Sequence, residues 1–295
     1  MKENLKRTLK ITGAAAAGCC MGGFLYWSNK SIVTTEYSCA SDRLPAEFDG
    51  FRIVNVSDLQ SEYFGKDQED LLNAVRAAEP DIIVITGDLL DRNHTNFRAA
   101  RTAVTGLVEI APSYYINGNH EIVLPDDVIW EFYGELEELG LNILFDATTK
   151  ISKGDAEISL MGISEYTLFM SKESDDIEDN SFDGDVIVDQ LDDLCSERPE
   201  SMFTVLLAHE PQMFRYYARP DVDLVLCGHA HGGQFRLPSG QGLFSPGQGI
   251  LPRYTAGGFR KGNSLMILSR GLGNSVFPFR LNNRPEIVAV TLEKE

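Results

Sequence analysis

The sequence predicts an α/β fold in layers, with parallel strands in its first half, and three observations carry that expectation. The 295 residues are 43% hydrophobic and 24% charged, an ordinary globular composition that can bury a real core. From residue 51 onward, short apolar runs alternate with stretches whose apolar residues recur at helical spacing, which is the pattern of βαβ units. Polar clusters then follow the carboxyl ends of several apolar runs, the edge at which open α/β sheets bind ligands.

The elements follow in order. Residues 1–10 carry Lys2, Lys6, Arg7 and Lys10, and residues 11–27 carry no charge. A basic flank before an apolar run predicts a cytoplasmic segment over 1–10 and a membrane anchor or cleaved signal over 11–27. The rest of the chain would then act outside the cytoplasm, held at the cell membrane by that single segment, or secreted if it is cleaved. Residues 28–45 read as a linker and 46–295 as one domain, with Pro45 and Gly50 bracketing its start. Strands are expected at 51–56, 81–86, 114–116, 158–163, 203–207, 222–227, 265–268 and 286–292. Helices are expected at 68–78, where Leu71, Leu72 and Val75 share a face, and at 96–110 and 128–139.

Two segments break the alternation. Residues 172–193 are dense in Asp and Glu but lack the ligand spacing of a calcium loop, which leaves a solvated loop and helix. Residues 235–262 are rich in Gly and Pro, and a loop of that length is uncommon unless it has a function. The formal net charge of -18 argues against a scaffold for nucleic-acid phosphate. Cys39, Cys195 and Cys227 form an odd set without C-x-x-C spacing, so neither a disulfide framework nor a thiolate zinc site is expected, and Cys227 reads as a buried free thiol.

The chemistry lies at the strand ends. Asp58 and Gln60 follow the first strand, Asp88 and Asp91 the second, Asn119, His120 and Glu121 the third, His209 the run at 203–207, and His229 and His231 the run at 222–227. Carboxylate, imidazole and amide oxygen together suit Mn, Fe or Zn, and no thiolate competes. His229 and His231 would point in opposite directions from an extended backbone and so serve different ions, which leads to a two-metal centre. Taken singly, Asp58, Asp88 and Asn119 could instead cap helices, Glu121 could be a helix-start acid, and His94 lies outside every cluster as a plain surface residue. The segment 269–275 lacks a dinucleotide fingerprint and reads as a tight loop rimming the site.

In order, these clusters are Asp58-Leu59-Gln60, Gly87-Asp88-Leu89-Leu90-Asp91, Gly118-Asn119-His120-Glu121, His209 and Gly228-His229-Ala230-His231. They resemble the blocks D-x-H, G-D-x-x-D, G-N-H-[DE], H and G-H-x-H of the calcineurin-like metallophosphoesterase superfamily. The longer run through Gly232, Gly233 and Gln234 looks like the membrane-anchored or exported bacterial branch. The resemblance implies a four-layer αββα sandwich with a dimetal site between the sheet edges. It implies one ion held by Asp58, Asp88, His231 and Gln60, and another by Asp88, Asn119, His209 and His229, with Asp88 bridging. A hydroxide shared by the two ions would attack a phosphoester in line, His120 would protonate the leaving oxygen or stabilise the pentacoordinate phosphorus, and Asp91 would orient His120. Gln60 departs from the pattern, which has histidine there. That departure motivates one alternative, a metal-binding domain that only recognises a phosphorylated ligand; His120 and Asp91, which binding alone does not need, argue for the enzyme.

Overall fold

The computed structural model describes residues 2–171, 183–196, 198–275 and 277–295. One six-stranded sheet runs, in spatial order, β1 (Val33–Ser41), β14 (Glu286–Lys294), β2 (Arg52–Val56), β3 (Ile82–Thr86), β4 (Ser113–Ile116) and β5 (Asn142–Ile143). Strands β2 to β5 are parallel, while β14 runs antiparallel to β2 and parallel to β1. The other sheet runs β12 (Gly257–Lys261), β13 (Ser264–Leu268), β9 (Leu224–Cys227), β8 (Thr204–Leu207), β7 (Ala156–Gly162) and β6 (Ala147–Lys153). Its four central strands are parallel and its two edges antiparallel. A short ribbon of β10 (Phe244–Ser245) and β11 (Gly249–Ile250) lies in the Gly/Pro-rich segment.

The helices are α1 (Lys2–Lys30), α2 (Glu69–Ala77), α3 (Phe97–Val108), α4 (Asp126–Glu138), α5 (Glu165–Met170), α6 (Gly184–Ser196) and α7 (Phe214–Tyr217). Three apolar clusters define the layers. Val75, Val104 and Leu136 of the helices meet Val54, Ile83 and Ile85 on the outer face of the first sheet. Ile53, Val84 and Ile116 meet Val205, Leu207 and Leu226 between the sheets. Ile187, Leu191 and Phe214 cover Leu206, Val225 and Met266 on the far side. This is the four-layer αββα sandwich. Strands buried on both faces have no polar side to show, so they read as continuous apolar runs, and each such side chain contributes about 1.5–3 kcal/mol by leaving water. Asn96 starts α3 by accepting the Ala99 N–H at 3.2 Å.

The central strands and α2 to α4 match the runs expected from the sequence to within a few residues. The edges do not. Residues 28–45, expected as a linker, contain β1, which pairs with β14 along its whole length; of β1 only Cys39 is buried, so it carries no apolar stripe. Strands β6 and β12 are missing from the expectation for the same reason. Of the acidic stretch 172–193, residues 172–182 lie outside the described residues and the remainder falls largely in α6. Cys39, Cys195 and Cys227 are free, with Cys39 and Cys227 buried.

The N-terminal expectation is corrected. Residues 11–27 fall inside α1, and among the described residues no helix is long and apolar enough to cross a membrane. At 1.5 Å per residue the uncharged run rises only about 25 Å, short of the roughly 30 Å hydrocarbon core, and its alanines and glycines are weakly apolar. The end of α1 is instead built into the domain. Ser28 Oγ donates to the Arg280 carbonyl at 3.1 Å, the Arg280 N–H donates to Asn29 Oδ1 at 2.7 Å, and Lys30 Nζ meets Glu62 Oε2 at 2.5 Å. The membrane anchor and membrane partnership through that segment are overturned with it, and the placement of the catalytic domain outside the cytoplasm, which rested on the same run, has no support in the described structure.

Candidate metal centre

Six loops meet where the carboxyl ends of the two sheets adjoin. They follow β2 (Asp58, Gln60), β3 (Asp88, Asp91), β4 (Asn119, His120), β8 (His209), β9 (His229, His231) and β13 (residues 269–275). Asp58, Gln60, Asp88, His229 and His231 all have left-handed backbone, with φ of 52°, 52°, 53°, 69° and 46°. Non-glycine residues rarely adopt it, and each such residue costs on the order of 1–3 kcal/mol that the surrounding structure must offset. Backbone bonds stitch the loops together: the Asp58 N–H donates to the Gly87 carbonyl at 3.1 Å, and the Gln60 N–H to the Asp88 carbonyl at 2.9 Å. Gly118 and Gly228 are needed for close approach, since a Cβ on the first would strike the Asp88 carboxylate and one on the second Ser57 Oγ.

Asp58, Asp88 and His231, all buried, each bring one potential ligand atom within 4.8 Å of the others. A second trio adjoins them. Asn119 Oδ1 lies 3.1 Å from His209 Nε2 and 2.9 Å from His229 Nδ1, and those two nitrogens are 3.3 Å apart. Asp88 Oδ2 is 3.4 Å from His209 Nε2, so Asp88 touches both groups. The other ring nitrogen of His209 donates to the Thr86 carbonyl at 2.8 Å, which leaves Nε2 turned toward the cluster. His229 and His231 do face different groups, but not because the backbone is extended: Ala230 is helical between two left-handed residues, a turn that splays the two rings.

The electrostatics favour a cation. Burial pushes Asp58 up to about 6, and burial together with the Asp88 charge pushes Glu121 up to about 8. Asp88 goes the other way: burial opposes its ionisation, but the charges of His209 and His120 hold it well below the usual carboxylate range. Burial lowers His229 to about 4 and, with the Arg280 charge adding, holds His231 well below its ordinary value, so both rings are neutral donors. Buried carboxylates beside neutral imidazoles and an amide oxygen, with no thiolate, form the donor set of a divalent transition ion or Mn. Gln60 Oε1 is buried with no hydrogen-bond partner, a further acceptor that a cation could satisfy. These residues fit a bound metal.

Gln60, His120 and Asp91 lie beside the two groups. Gln60 Nε2 donates to Asp88 Oδ2 at 2.7 Å, which keeps the amide beside the shared carboxylate. His120 sits with Nε2 4.0 Å from Asp88 Oδ2 and Nδ1 3.5 Å from Asp91 Oδ1, and its Nδ1 also accepts the Arg92 N–H at 3.2 Å. His94 is exposed near Asp91 and reaches none of the cluster. Asp58, Asp88 and Asn119 cap no helix, since α2, α3 and α4 begin well downstream of each.

Glu121 is more than the helix-start acid its position suggested. Fully buried, it accepts the N–H groups of Asp88 at 3.0 Å and Gly118 at 2.8 Å on one oxygen and that of Leu90 at 2.8 Å on the other. It thus holds the backbone that presents Asp88 and Asn119. Glu121→Leu would strand three buried donors at about 1–3 kcal/mol each, and a urea melt in chelator should lose several kcal/mol of stability. A loss below about 1 kcal/mol would remove that role. Arg280 and Ser57 were also absent from the sequence reading. Ser57 Oγ donates to Asp58 Oδ2 at 2.6 Å, and nothing in its neighbours' spacing marked it.

Residues 51–233 match the family described as calcineurin-like phosphoesterase. The chain is 29% identical over 297 residues to the uncharacterized metallophosphoesterase YkuE of Bacillus subtilis, covering 95% of this chain and 92% of that protein. It is 26% identical over 271 residues to YkoQ of the same organism, covering 90% and 93%. It is 30% identical over 219 residues to the phosphodiesterase YaeI of Escherichia coli, covering 72% of this chain and 71% of YaeI. The match reaches the family. It does not support the membrane-anchored or exported branch suggested by residues 228–234, and no described helix is able to cross a membrane.

Proposed function

Because the chain belongs to the calcineurin-like phosphoesterase family and is a metal-dependent phosphoesterase, we propose that it works with two divalent cations, Mn, Fe or Zn, and cleaves phosphodiesters by in-line displacement. The observation that carries this reading is the adjacency of two donor groups through one carboxylate. Asp58, Asp88, His231 and Gln60 would hold one ion, and Asp88, Asn119, His209 and His229 the other. When bound, such a pair supplies Lewis-acid charge to the phosphoryl oxygens and makes water nucleophilic near neutral pH.

The chain's own residues do the rest. The buried walls around Asp58, Asp88 and His209 keep bulk water from screening the site, which strengthens every charge interaction in it. His120 presents Nε2 to the cluster, 4.0 Å from Asp88 Oδ2, and delivers a proton to the leaving oxygen. The group that gives the proton is the imidazolium, its Nδ1–H toward Asp91 Oδ1 at 3.5 Å and its charge favoured, against burial, by Asp88; the neutral ring, whose Nδ1 accepts the Arg92 N–H, takes up a proton before it can act as acid. The similarity to a protein named phosphodiesterase favours the diester over the monoester as substrate.

The test is the full chain stripped by chelator, then loaded with Mn and assayed on bis(p-nitrophenyl) phosphate and p-nitrophenyl phosphate. Turnover of the diester should rise roughly 100-fold or more as metal content climbs to two ions per chain. Two bound ions with no turnover of either ester would instead mark a domain that only binds phosphorylated ligands.

A further inference from the structure

Arg280 is the bulkiest fully buried side chain among the described residues. A buried guanidinium is expensive unless its donors are used, and here they go to the main chain. Nη1 donates to the Arg270 carbonyl at 2.8 Å, Nη2 donates to the Gly273 carbonyl and also lies 3.3 Å from His231 Nδ1, and Nε has no partner. The Gly273 carbonyl is in turn 3.2 Å from His231 Nδ1. The carbonyl can only accept and the guanidinium can only donate, so the pair flanks Nδ1 and fixes the ring in either tautomer, with Nε2 turned toward Asp58 Oδ1 at 3.5 Å.

The same turn shoulders the other side of the cluster. The Gly273 N–H donates to the Asp58 carbonyl at 2.7 Å and the Leu272 N–H to the Ser57 carbonyl at 3.1 Å. A Cβ on Gly271 would stand 2.7 Å from Asp58 Cβ, and one on Gly273 2.6 Å from Gln60 Cβ, so the turn has no slack. Arg280 is itself fixed from outside the turn: Asn29 and Ser28 at the end of α1 bind its N–H and its carbonyl, and Asn274 Nδ2 donates to Asn29 Oδ1 at 3.3 Å.

We propose that Arg280 is a positioning residue for the metal centre: by gripping the Arg270 and Gly273 carbonyls it sets the His231 ring, and the last turn of α1 holds Arg280 in place to do so. This makes the end of the N-terminal helix a working part of the site. The inference rests on the reading of His231 as a cation ligand, which a separate variant tests.

The sign of the effect separates positioning from the alternatives. A buried positive charge near a bound cation repels it, so if Arg280 acted by charge alone, a neutral replacement would tighten metal binding. If it were only a packing residue, stability would fall with no change in affinity. Positioning predicts that binding weakens, because misoriented histidine ligands typically cost roughly 10–100-fold in affinity.

Mn titration of the chelator-stripped full chain, with free Mn read by electron paramagnetic resonance, decides it. His231→Ala should lose one of two ions. Arg280→Met should bind that same ion roughly 10–100-fold more weakly and leave the other unchanged, and Arg280→Lys, which can reach only one of the two carbonyls, should fall between. Should Arg280→Met not fold, Asn29→Ala carries the test, with several-fold weaker binding of the same ion expected. If His231→Ala leaves Mn binding intact, the ligand reading fails and the inference with it. If His231→Ala loses an ion but Arg280→Met, or Asn29→Ala in its place, binds Mn as the unmodified chain does or more tightly, the inference alone is overturned.

Discussion

Asp88→Asn is expected to yield a folded chain that binds less than one divalent ion and turns over at background rate. Its carboxylate touches both donor groups, lying 3.4 Å from His209 Nε2 and sharing a 4.8 Å cluster with Asp58 and His231, so one substitution removes charge that both proposed cations would share. The fold should tolerate it. The asparagine oxygen can keep the His120 N–H that Asp88 Oδ1 accepts at 3.0 Å, and once the Gln60 amide, whose Nε2 now donates to Oδ2, turns over, the new amide can donate to Gln60 Oε1. His209, whose ring is held in the charged form by the Asp88 charge against the pull of burial, can release its proton once that charge is gone, so no stranded cation remains. Metal-free stability should therefore change little. The difference should emerge on adding Mn: the unmodified chain gains about 2.7 kcal/mol per ion at a hundredfold excess over Kd, and the variant gains nothing. Melting curves with and without Mn, paired with metal analysis, make the check. Two ions in a folded Asp88→Asn protein would contradict the bridging role.

What the sequence made legible follows from how each residue is placed. Asp58, Asp88, Asn119, His209, His229 and His231 each lie within a few residues of the end of a strand buried on both faces, and such strands announce themselves as apolar runs. Once the runs are found, the polar residues just beyond them can be gathered at one edge of the fold. The edge strands β1, β6 and β12 are mostly solvated and have little apolar pattern to find. Glu121 was visible as a residue but not as a staple, because its partners are backbone N–H groups, two on the loop after β3 and one on its own loop. Arg280 was illegible for a related reason: it sits in irregular chain, and its partners are carbonyls of a turn near it in sequence and the far end of the molecule at Asn29. The N-terminal run misled because the basic flank before it outweighed its short length and weak apolarity, whereas alanine, glycine and threonine supply little of the transfer energy that holds a helix in a bilayer.

His120→Ala separates binding from chemistry. The side chain belongs to neither donor group, and the N–H that His120 gives to Asp88 Oδ1 is backbone and survives the substitution, so both ions should be retained. What is lost is the imidazole whose Nε2 faces the cluster 4.0 Å from Asp88 Oδ2, while Nδ1 is held by the Arg92 N–H and by Asp91. A group so placed matters in proportion to how badly the leaving oxygen needs a proton. For an alkyl ester, whose leaving alkoxide is strongly basic, the rate should fall roughly 10²–10⁴-fold, the usual range for losing a positioned general acid. For p-nitrophenyl esters, whose leaving group departs as a stable anion, the loss should be far smaller. A plot of log kcat/KM against leaving-group pKa should therefore be steeper in the variant than in the unmodified chain, with metal content equal in the two. Asp91→Asn, which only weakens support of the charged ring, should fall between them on the same plot. Parallel lines would mean that His120 acts on the phosphoryl group and not on the leaving oxygen.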